Sequence, residues 1–285
     1  KHANIDGYKN HEKCIVIQGD IRNSEDLDKT FFHGPFDTII HLAAMAGVRP
    51  SLENPRLYTD VNVQGTQNLL DYATRQEKLP LFVFASSSSV YGEREAESFL
   101  ETDRVDRPIS PYAATKVAGE LICHAAHAAL KLNVVCLRFF TVFGPRQRPD
   151  LAIHKFCRLI ENDIPIEMYG DGTSQRDYTY IGDIVNGIIR VTELKDPGFE
   201  ILNLGRSKPV TLKEMIEAIE LSLGKEAIIK RKPMQKGDVS NTFASIDKAR
   251  KLLGYEPETS FEEGIKEFVD WYRATVKDKD CALTK

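Results

Sequence analysis

The chain has 285 residues, of which 42% are hydrophobic and 28% are charged, as in an ordinary globular protein. A formal net charge of -4 gives no sign of a nucleic-acid partner, and no apolar run of about 18 residues predicts a membrane span. A chain of this length can bury one large core and carry a smaller second domain.

Apolar runs alternate with amphipathic stretches along the first half of the chain. The pattern predicts strands at residues 14–18, 37–42, 81–85 and 133–138, and helices at residues 24–32, 55–78 and 111–131. Continuous apolar strands that alternate with helices are typical of a parallel sheet covered on both faces. We therefore predict an α/β fold with a doubly wound, parallel, Rossmann-like sheet.

The alternation becomes irregular after Gly144. A strand at residues 201–204 is predicted to return to the main sheet. Later helices are predicted at residues 211–223, 245–253 and 261–272. Thr211 and Ser245 are predicted to be the N-caps of the first two, because hydroxyl side chains can accept a hydrogen bond from the free backbone N–H groups there.

The segment Tyr112-Ala-Ala-Thr-Lys116 lies in a predicted helix. Tyr112 and Lys116 are therefore on one face, one turn apart. A neighbouring ammonium group favours the phenolate and lowers the pKa of a tyrosine from about 10 toward the range of a general base. The spacing alone also describes a surface tyrosine and a solvated lysine, so a second signal is needed.

That second signal is the serine run at residues 86–89, which follows the predicted strand at residues 81–85. Its hydroxyl groups are expected at the carboxyl end of a strand, where ligands bind in open α/β sheets. Together with Tyr112 and Lys116, the run predicts a catalytic site.

These motifs resemble those of the extended short-chain dehydrogenase/reductases, specifically the nucleotide-sugar epimerases and dehydratases. Further matching segments are Gly19-Asp20-Ile21-Arg22, His41-Leu42-Ala43-Ala44, residues 138–145, Arg176-Asp177-Tyr178 and Gly237-Asp238-Val239. The resemblance implies that Tyr112 takes a proton from a sugar hydroxyl while bound NAD accepts a hydride from the carbon. It also implies that Ser87 bridges the same hydroxyl and that Lys116 lowers the pKa of the tyrosine.

The resemblance further implies a cofactor site and a division of the chain. The implied NAD-binding residues are Asp20 and Ile21 at the adenine, Leu42, Ala43 and Ala44 beside the pyrophosphate, and Tyr112 and Lys116 at the nicotinamide end. The implied NAD-binding domain comprises residues 1–144 and 179–204. Residues 145–178 and 205–285 would form the nucleotide-sugar-binding domain. The preference for NAD over NADP rests on the resemblance alone.

A dinucleotide-binding fold usually begins with a strand, a Gly-rich turn and a helix whose N-terminus holds the pyrophosphate. This sequence contains no Gly-x-Gly-x-x-Gly motif. Its first predicted strand runs into Gly19-Asp20, which in the resembled family follows the third strand. We therefore expect an N-terminal βα unit to be missing from this sequence. The alternative is a variant of the fold that binds no cofactor.

Two serines restrict the reaction. In the resembled family, dehydratases carry an Asp-Glu pair directly after the serine that corresponds to Ser87, and UDP-glucuronate decarboxylases carry a Glu at the second position. Here these positions are Ser88 and Ser89, which cannot act as carboxylate acids or bases. Epimerisation at C4 through a 4-keto sugar remains.

The substrate is suggested by Arg49, Thr141 and Arg148, which match segments of the UDP-glucuronate 4-epimerases. Guanidinium groups suit a carboxylate because they can donate two parallel hydrogen bonds. The resemblance also places Arg176 at the pyrophosphate, and Gln235 and Asp238 at the phosphate and ribose of UDP. The leading hypothesis is therefore conversion of UDP-glucuronate to UDP-galacturonate.

Two alternatives remain open. One is a 4-epimerase of a neutral UDP-sugar, such as UDP-glucose or UDP-N-acetylglucosamine, in which the arginines serve the phosphates or the fold. The other is a nucleotide-sugar-binding protein without catalysis, which would explain the missing Gly-rich turn.

The remaining features predict an ordinary compartment and assembly. The five cysteines are widely spaced and predict neither disulfides nor a zinc site, so we expect a cytoplasmic protein. His124 and His127 have a metal-compatible spacing but no third ligand, and we predict no metal. The resemblance implies a homodimer formed through the helices at residues 55–78 and 111–131.

Overall fold

The computed structural model describes residues 4–93, 98–233 and 241–275. The chain divides into two compact units. The first unit comprises Lys1–Gly92, Arg104–Arg138 and Leu194–Ile201, and the second comprises Glu93–Asp103, Phe139–Glu193 and Leu202–Lys285. Within the described ranges, no helix is both long and apolar enough to cross a membrane.

The elements follow one another closely along the chain. The strands are β1 (Thr38–His41), β2 (Leu81–Ser87), β3 (Asn133–Phe139), β4 (Thr141–Phe143), β5 (Ile166–Tyr169), β6 (Gln175–Tyr180), β7 (Phe199–Leu204), β8 (Pro209–Thr211), β9 (Ile229–Lys232) and β10 (Asn241–Thr242). The helices are α1 (Ser24–Phe31), α2 (Val48–Glu53), α3 (Pro55–Thr59), α4 (Gly65–Thr74), α5 (Pro111–Leu130), α6 (Ala152–Glu161), α7 (Ile181–Thr192), α8 (Leu212–Leu223), α9 (Asp247–Leu253) and α10 (Phe261–Thr275).

The main sheet has the strand order β1-β2-β3-β7. β1 and β2 are parallel, with Thr38 opposite Leu81. Every residue of β2 is buried, as expected for a parallel strand covered on both faces. The α/β fold with a parallel, Rossmann-like sheet is confirmed, and so is the return of residues 201–204 to the sheet beside β3.

Helix α5 packs directly on β2. It begins where Ser110 accepts a hydrogen bond from the Ala113 N–H at 3.1 Å, with Pro111 in the first turn, where proline is tolerated. At Gly119 an added Cβ atom would lie 2.3 Å from Cζ of Phe84. The absence of a side chain at this position therefore allows the helix to approach the strand closely.

The helix predicted at residues 55–78 is not regular. α3 is followed by one π-helical turn, Asp60–Gln64, and then by α4, which ends at Thr74. The turn carries Asn62, whose side chain is buried. Wide turns of this kind often occur at functional sites, and helical periodicity in a sequence does not reveal them.

Two local predictions are wrong. Residues 14–18 form no strand, and no strand of the described ranges pairs with them; Ile15 and Val16 are exposed. An extended segment needs a partner for its backbone N–H and C=O groups. Ser245 is not an N-cap, since α9 begins at Asp247 after Ile246. Thr211 does cap α8, where it forms a reciprocal pair with Glu214.

The second unit has its own hydrophobic core. Helices α6, α8 and α10 pack together with β5 and β6 around buried Phe143, Phe156, Ile219 and Phe268. β6 pairs with β4 and β10 in parallel and with β8 in antiparallel orientation. This arrangement positions the segment that contains Arg176.

Candidate active site

Tyr112 and Lys116 lie on successive turns of α5. The Lys116 Nζ donates a hydrogen bond of 2.7 Å to the carbonyl oxygen of Ala85, near the end of β2. The same nitrogen lies 5.1 Å from the centroid of the Phe84 ring and 5.9 Å from that of Tyr112. An ammonium group is therefore held beside both the phenol ring and the strand end that carries the serines.

The lysine is 5% exposed. Burial lowers the pKa of Lys116 from 10.5 to about 8, and this effect outweighs the opposing fields of Cys123 and Glu120. Among the described residues, the Ala85 carbonyl is the one hydrogen-bond acceptor of its Nζ. Because an ammonium group has three donors, Lys116 keeps donors for a bound molecule.

The tyrosine is fixed at both its ring and its backbone. The ring packs edge-to-face on Tyr58 at 6.3 Å between centroids, and Tyr58 donates to the Ala46 carbonyl at 3.0 Å. Thr115 donates to the Tyr112 carbonyl at 2.8 Å and accepts from the Asn62 Nδ2 at 3.0 Å. Neither Tyr58 nor Asn62 was identified from the sequence, because their roles depend on contacts between distant segments.

The serine run turns sharply at the strand end. Ser87 is the last residue of β2, and Ser88 and Ser89 begin a 3₁₀ turn, Ser88–Tyr91. The Ser87 Oγ accepts from the Ser89 N–H and donates to the Ser89 Oγ, both at 3.2 Å. The turn therefore presents three hydroxyl groups within a short stretch of chain.

The segment after β1 is tied to the helices by Asn62. This amide accepts from the Met45 N–H at 2.7 Å and donates to the Met45 carbonyl at 3.0 Å. Leu42 and Ala43 are exposed, and Ala44 is half-buried. Small side chains at the two alanines leave the backbone of this segment accessible to a ligand.

Next to this segment, His41 is buried and neutral. Burial, helped by the positive charge of Lys116, lowers the pKa of His41 to about 3. Thr66 donates its hydroxyl hydrogen to the Asn62 carbonyl at 2.6 Å, so the His41 Nε2, 2.9 Å from that hydroxyl, acts as the donor. A hydrogen-bonded chain thus runs from the end of β1 to the residues that fix Tyr112.

Asp20 and Ile21 precede α1, and Ile21 lies against the start of α4. The Asp20 carboxylate accepts from the Arg22 Nε at 3.0 Å and Nη2 at 2.6 Å, and these bonds lower the pKa of Asp20 to about 2. Ile21 packs against Gly65, where an added Cβ atom would lie 2.5 Å from the Ile21 Cδ1. Of the predicted adenine-contacting pair, Ile21 is therefore held against the first turn of α4, and Asp20 is held by Arg22.

The predicted substrate residues are divided between the units. Arg49 is exposed on α2 in the first unit. In the second unit, Thr141 is half-buried on β4, Arg148 is paired with Asp150 at 3.0 Å, and Arg176 donates to the Gln175 carbonyl at 2.8 Å. The predicted contacts Gln235 and Asp238 lie outside the described residues.

Asp177 was not predicted as a functional residue. It is fully buried and accepts hydrogen bonds from the backbone N–H groups of Arg206, Ser207 and Ala244 at 2.8 to 3.0 Å, and from Thr179 at 3.1 Å. Burial raises the pKa of Asp177, and the four bonds partly offset this shift. This carboxylate connects the strand of Arg176 to two loops of the second unit.

The parallel sheet and the Tyr-x-x-x-Lys helix beside a serine-ended strand define an extended short-chain dehydrogenase/reductase. More narrowly, the chain belongs to the GDP-mannose 4,6 dehydratase family, whose model matches residues 1–268.

Individual relatives match this chain over most of its length. The UDP-glucuronate 4-epimerase of Thermodesulfobacterium geofontis is 42% identical over 97% of this chain and 85% of its own length. A crystal structure of UDP-glucuronic acid 4-epimerase from Bacillus cereus, in complex with UDP-glucuronic acid and NAD, matches with a TM-score of 0.89 and 35% identity over 95% of this chain and 85% of that one. The UDP-glucose 4-epimerase of Thermus thermophilus, in complex with NAD, matches with a TM-score of 0.84 and 31% identity over 91% of this chain and 85% of that one.

The buried ammonium group predicts a pH-dependent stability. Between pH 8 and 10.5 the unfolded chain binds more protons at Lys116 than the folded chain does. The contribution of this lysine to stability therefore rises with pH, by up to about 1.4 kcal/mol per pH unit. We expect the free energy of unfolding of the wild type, minus that of Lys116→Met, to increase over this range in urea denaturation without added ligand. The exposed Lys29→Met is the control, and a constant difference for Lys116→Met would contradict the prediction.

Proposed function

We propose that this protein is an NAD-dependent UDP-sugar 4-epimerase that converts UDP-glucuronate to UDP-galacturonate through a 4-keto intermediate. The observation that carries the proposal is the buried Lys116 ammonium group, held between the Tyr112 ring and the end of β2. This pair is next to a strand that ends in Ser87 and continues with Ser88 and Ser89.

Tyr112 is the proposed general base. The positive charge of Lys116 favours the phenolate over the phenol, so that Tyr112 can accept the proton of the sugar C4 hydroxyl. Ser87 donates to or accepts from the same oxygen and keeps it aligned with the tyrosine. Tyr112 returns the proton once the 4-keto sugar has turned over in the site.

The residues present fit NAD. Lys116 retains donors for ribose hydroxyls, and the segment that contains Leu42, Ala43 and Ala44 leaves its backbone accessible for a pyrophosphate. Bound there, NAD would supply the hydride acceptor and hydride donor for C4 of the sugar. Asp20 and Ile21 are the proposed adenine contacts.

Ser88 and Ser89 support epimerisation over the other reactions of the family. Elimination of water from the sugar calls for carboxylate side chains beside the keto sugar, and loss of its carboxyl group is disfavoured without one; hydroxyl groups cannot supply a carboxylate at neutral pH. The two serines can still hydrogen-bond sugar hydroxyls, but they do not promote either reaction.

Two arginines support a substrate that carries a carboxylate. Arg49 and Arg148 can each donate two parallel hydrogen bonds to a planar carboxylate. Oxidation at C4 of a glucuronate yields a β-keto acid, which loses carbon dioxide when its C5–C6 bond aligns with the carbonyl π system. A guanidinium clamp that prevents this alignment protects the intermediate.

The UDP moiety is assigned to the second unit. Arg176 is the proposed partner of the pyrophosphate, since its strand is fixed by the buried carboxylate of Asp177. Thr141 is the proposed contact of the sugar, and Gln235 and Asp238 the proposed contacts of phosphate and ribose.

One observation favours the neutral-sugar alternative. Arg148 already has a carboxylate partner, Asp150, at 3.0 Å, so its charge is compensated without a uronate. In that case the substrate is UDP-glucose or UDP-N-acetylglucosamine. Incubation of the protein with NAD and each UDP-sugar, followed by chromatography of the products, decides between the two. Faster conversion of the neutral sugar would overturn the uronate assignment, and no turnover of any sugar would favour a binding protein.

We also propose a cytoplasmic homodimer. Leu121 and Leu130 are exposed on α5, one of the two helical segments through which a dimer is expected. The described cysteines Cys14, Cys123, Cys136 and Cys157 are free thiols, as is usual in a reducing compartment. A monomeric mass in solution at micromolar concentration would contradict the dimer.

Removal of the Tyr112 hydroxyl group should slow the proton transfer. We expect Tyr112→Phe to lower kcat by roughly 10²-fold or more while the fold is retained, measured by epimer formation and circular dichroism. The control is Tyr72→Phe on α4, whose hydroxyl contacts Asp28 at 2.6 Å. Equal kcat values for Tyr112→Phe and the wild type would exclude Tyr112 as the base.

Loss of the guanidinium clamp should discriminate between substrates. A hydrogen bond to a charged group contributes about 1.5–3 kcal/mol, so Arg148→Ala should lower kcat/KM for UDP-glucuronate by roughly 10- to 100-fold. A neutral UDP-sugar should lose much less. Some UDP-pentose and carbon dioxide should also form from the uronate. The control is Arg146→Ala in the same loop. Equal losses for both sugars would assign Arg148 to UDP or to the fold.

A further inference from the structure

An ion pair lies inside the first unit, behind the proposed catalytic residues. Arg138 on β3 and Glu120 on α5 are 2% and 4% exposed. The Arg138 Nε donates to Glu120 Oε1 at 2.9 Å and the Nη2 donates to Oε2 at 2.7 Å. None of the proposed proton-transfer or binding steps uses either side chain.

Such a pair is weak support for stability. The desolvation of two charges can exceed their mutual attraction, and apolar residues of similar volume are often as stable. The presence of a charged pair in the core therefore calls for a reason other than stability. The other contacts of the two side chains supply one.

The pair joins four segments of the first unit. The Ser86 Oγ donates to Glu120 Oε1 at 2.5 Å, which connects the end of β2 to α5. The Arg138 guanidinium lies 4.8 Å from the centroid of the Tyr91 ring, which connects β3 to the end of the 3₁₀ turn that contains Ser88 and Ser89. The serine run is therefore anchored at both of its ends.

The contact also fixes the register of strand and helix. Tyr112, Lys116 and Glu120 are spaced four residues apart and lie on one stripe of α5. Lys116 binds the Ala85 carbonyl, and Glu120 binds the Ser86 hydroxyl. Two consecutive residues of β2 are thus bound by two consecutive turns of α5, and these two bonds set the register between the strand end and the helix.

We propose that Glu120, Arg138, Ser86 and Tyr91 form a positioning unit, here called the brace, that holds the strand end of Ser87 against the helix of Tyr112. Ser86 directly precedes Ser87, the last residue of β2, so the bond from Ser86 to Glu120 restrains the strand end that carries Ser87. The inference rests on the proposed epimerase function and extends it to residues that do not touch the substrate.

The test is Ser86→Ala, which removes the link to the strand and leaves the ion pair intact. We expect kcat for the UDP-sugar to fall by about tenfold while KM changes by less than about twofold, since displacement of a catalytic group by 1 Å or less can cost this much. The matched control is Thr74→Ala, which removes the half-buried hydroxyl that donates to the Leu70 carbonyl at the end of α4. Thr74→Ala should lower the Tm about as much as Ser86→Ala does, and it should leave kcat unchanged.

A second variant separates positioning from stability. Glu120→Leu/Arg138→Met removes both charges and retains volume, so we expect a folded protein with an unchanged or raised Tm and a kcat at least tenfold below that of the wild type. Wild-type kcat in Ser86→Ala would overturn the brace, whether or not the double variant folds. The wild type is assayed first: absence of turnover there would overturn the proposed function and the brace together, whereas equal turnover of wild type and Ser86→Ala would overturn the brace alone.

Discussion

The hydrogen bond from the Lys116 ammonium group to the Ala85 carbonyl is the contact on which the first unit depends. It places a cation in a nearly dry position, at a cost in solvation that appears as the lowered pKa of Lys116, about 8. The close approach of α5 to β2 at Gly119 is what brings the lysine within reach of the strand. The helix and the strand end are consequently held together, and they carry the phenol and the serine hydroxyls that are proposed to act on the sugar.

A second layer of polar contacts surrounds this element and carries no chemistry of its own. Asn62 satisfies both of its amide groups on Met45 and Thr115, and thereby connects the segment proposed for the pyrophosphate to the backbone of Tyr112. Glu120 and Arg138 do the same for the strand end. In the second unit, Asp177 directly follows Arg176, and its buried carboxylate fixes this part of β6 to two loops. In the first unit, the segment proposed for the pyrophosphate, the backbone of Tyr112 and the strand end are thus each supported by a buried polar side chain from a distant part of the sequence.

The difference between local motifs and contacts of distant residues explains what could be predicted from the sequence. Helical periodicity places Tyr112 and Lys116 on one face, and the apolar run before Ser86 predicts a strand with hydroxyl groups at its end; both inferences need only neighbours in the chain. Asn62, Glu120 and Arg138 act through partners 17 to 53 residues away, which no local pattern reveals. The strand predicted at residues 14–18 fails for the same reason, since apolar alternation does not supply a partner strand. The positions of Thr141, Arg148 and Arg176 relative to the sugar depend on a bound substrate and stay predictions.

The π-helical turn at Asp60–Gln64 makes this segment sensitive to the number of residues that it contains. Each residue of a regular α-helix adds about 100° of rotation, and the wide turn accommodates one residue more than an α-helical turn does. The orientation of Asn62, and of every α4 side chain after it, is therefore set by the number of residues as well as by their identity. A single-residue insertion or deletion between Pro55 and Asn62 would turn Asn62 away from Met45 and Thr115, so in this segment the length of the chain is constrained as well as its composition.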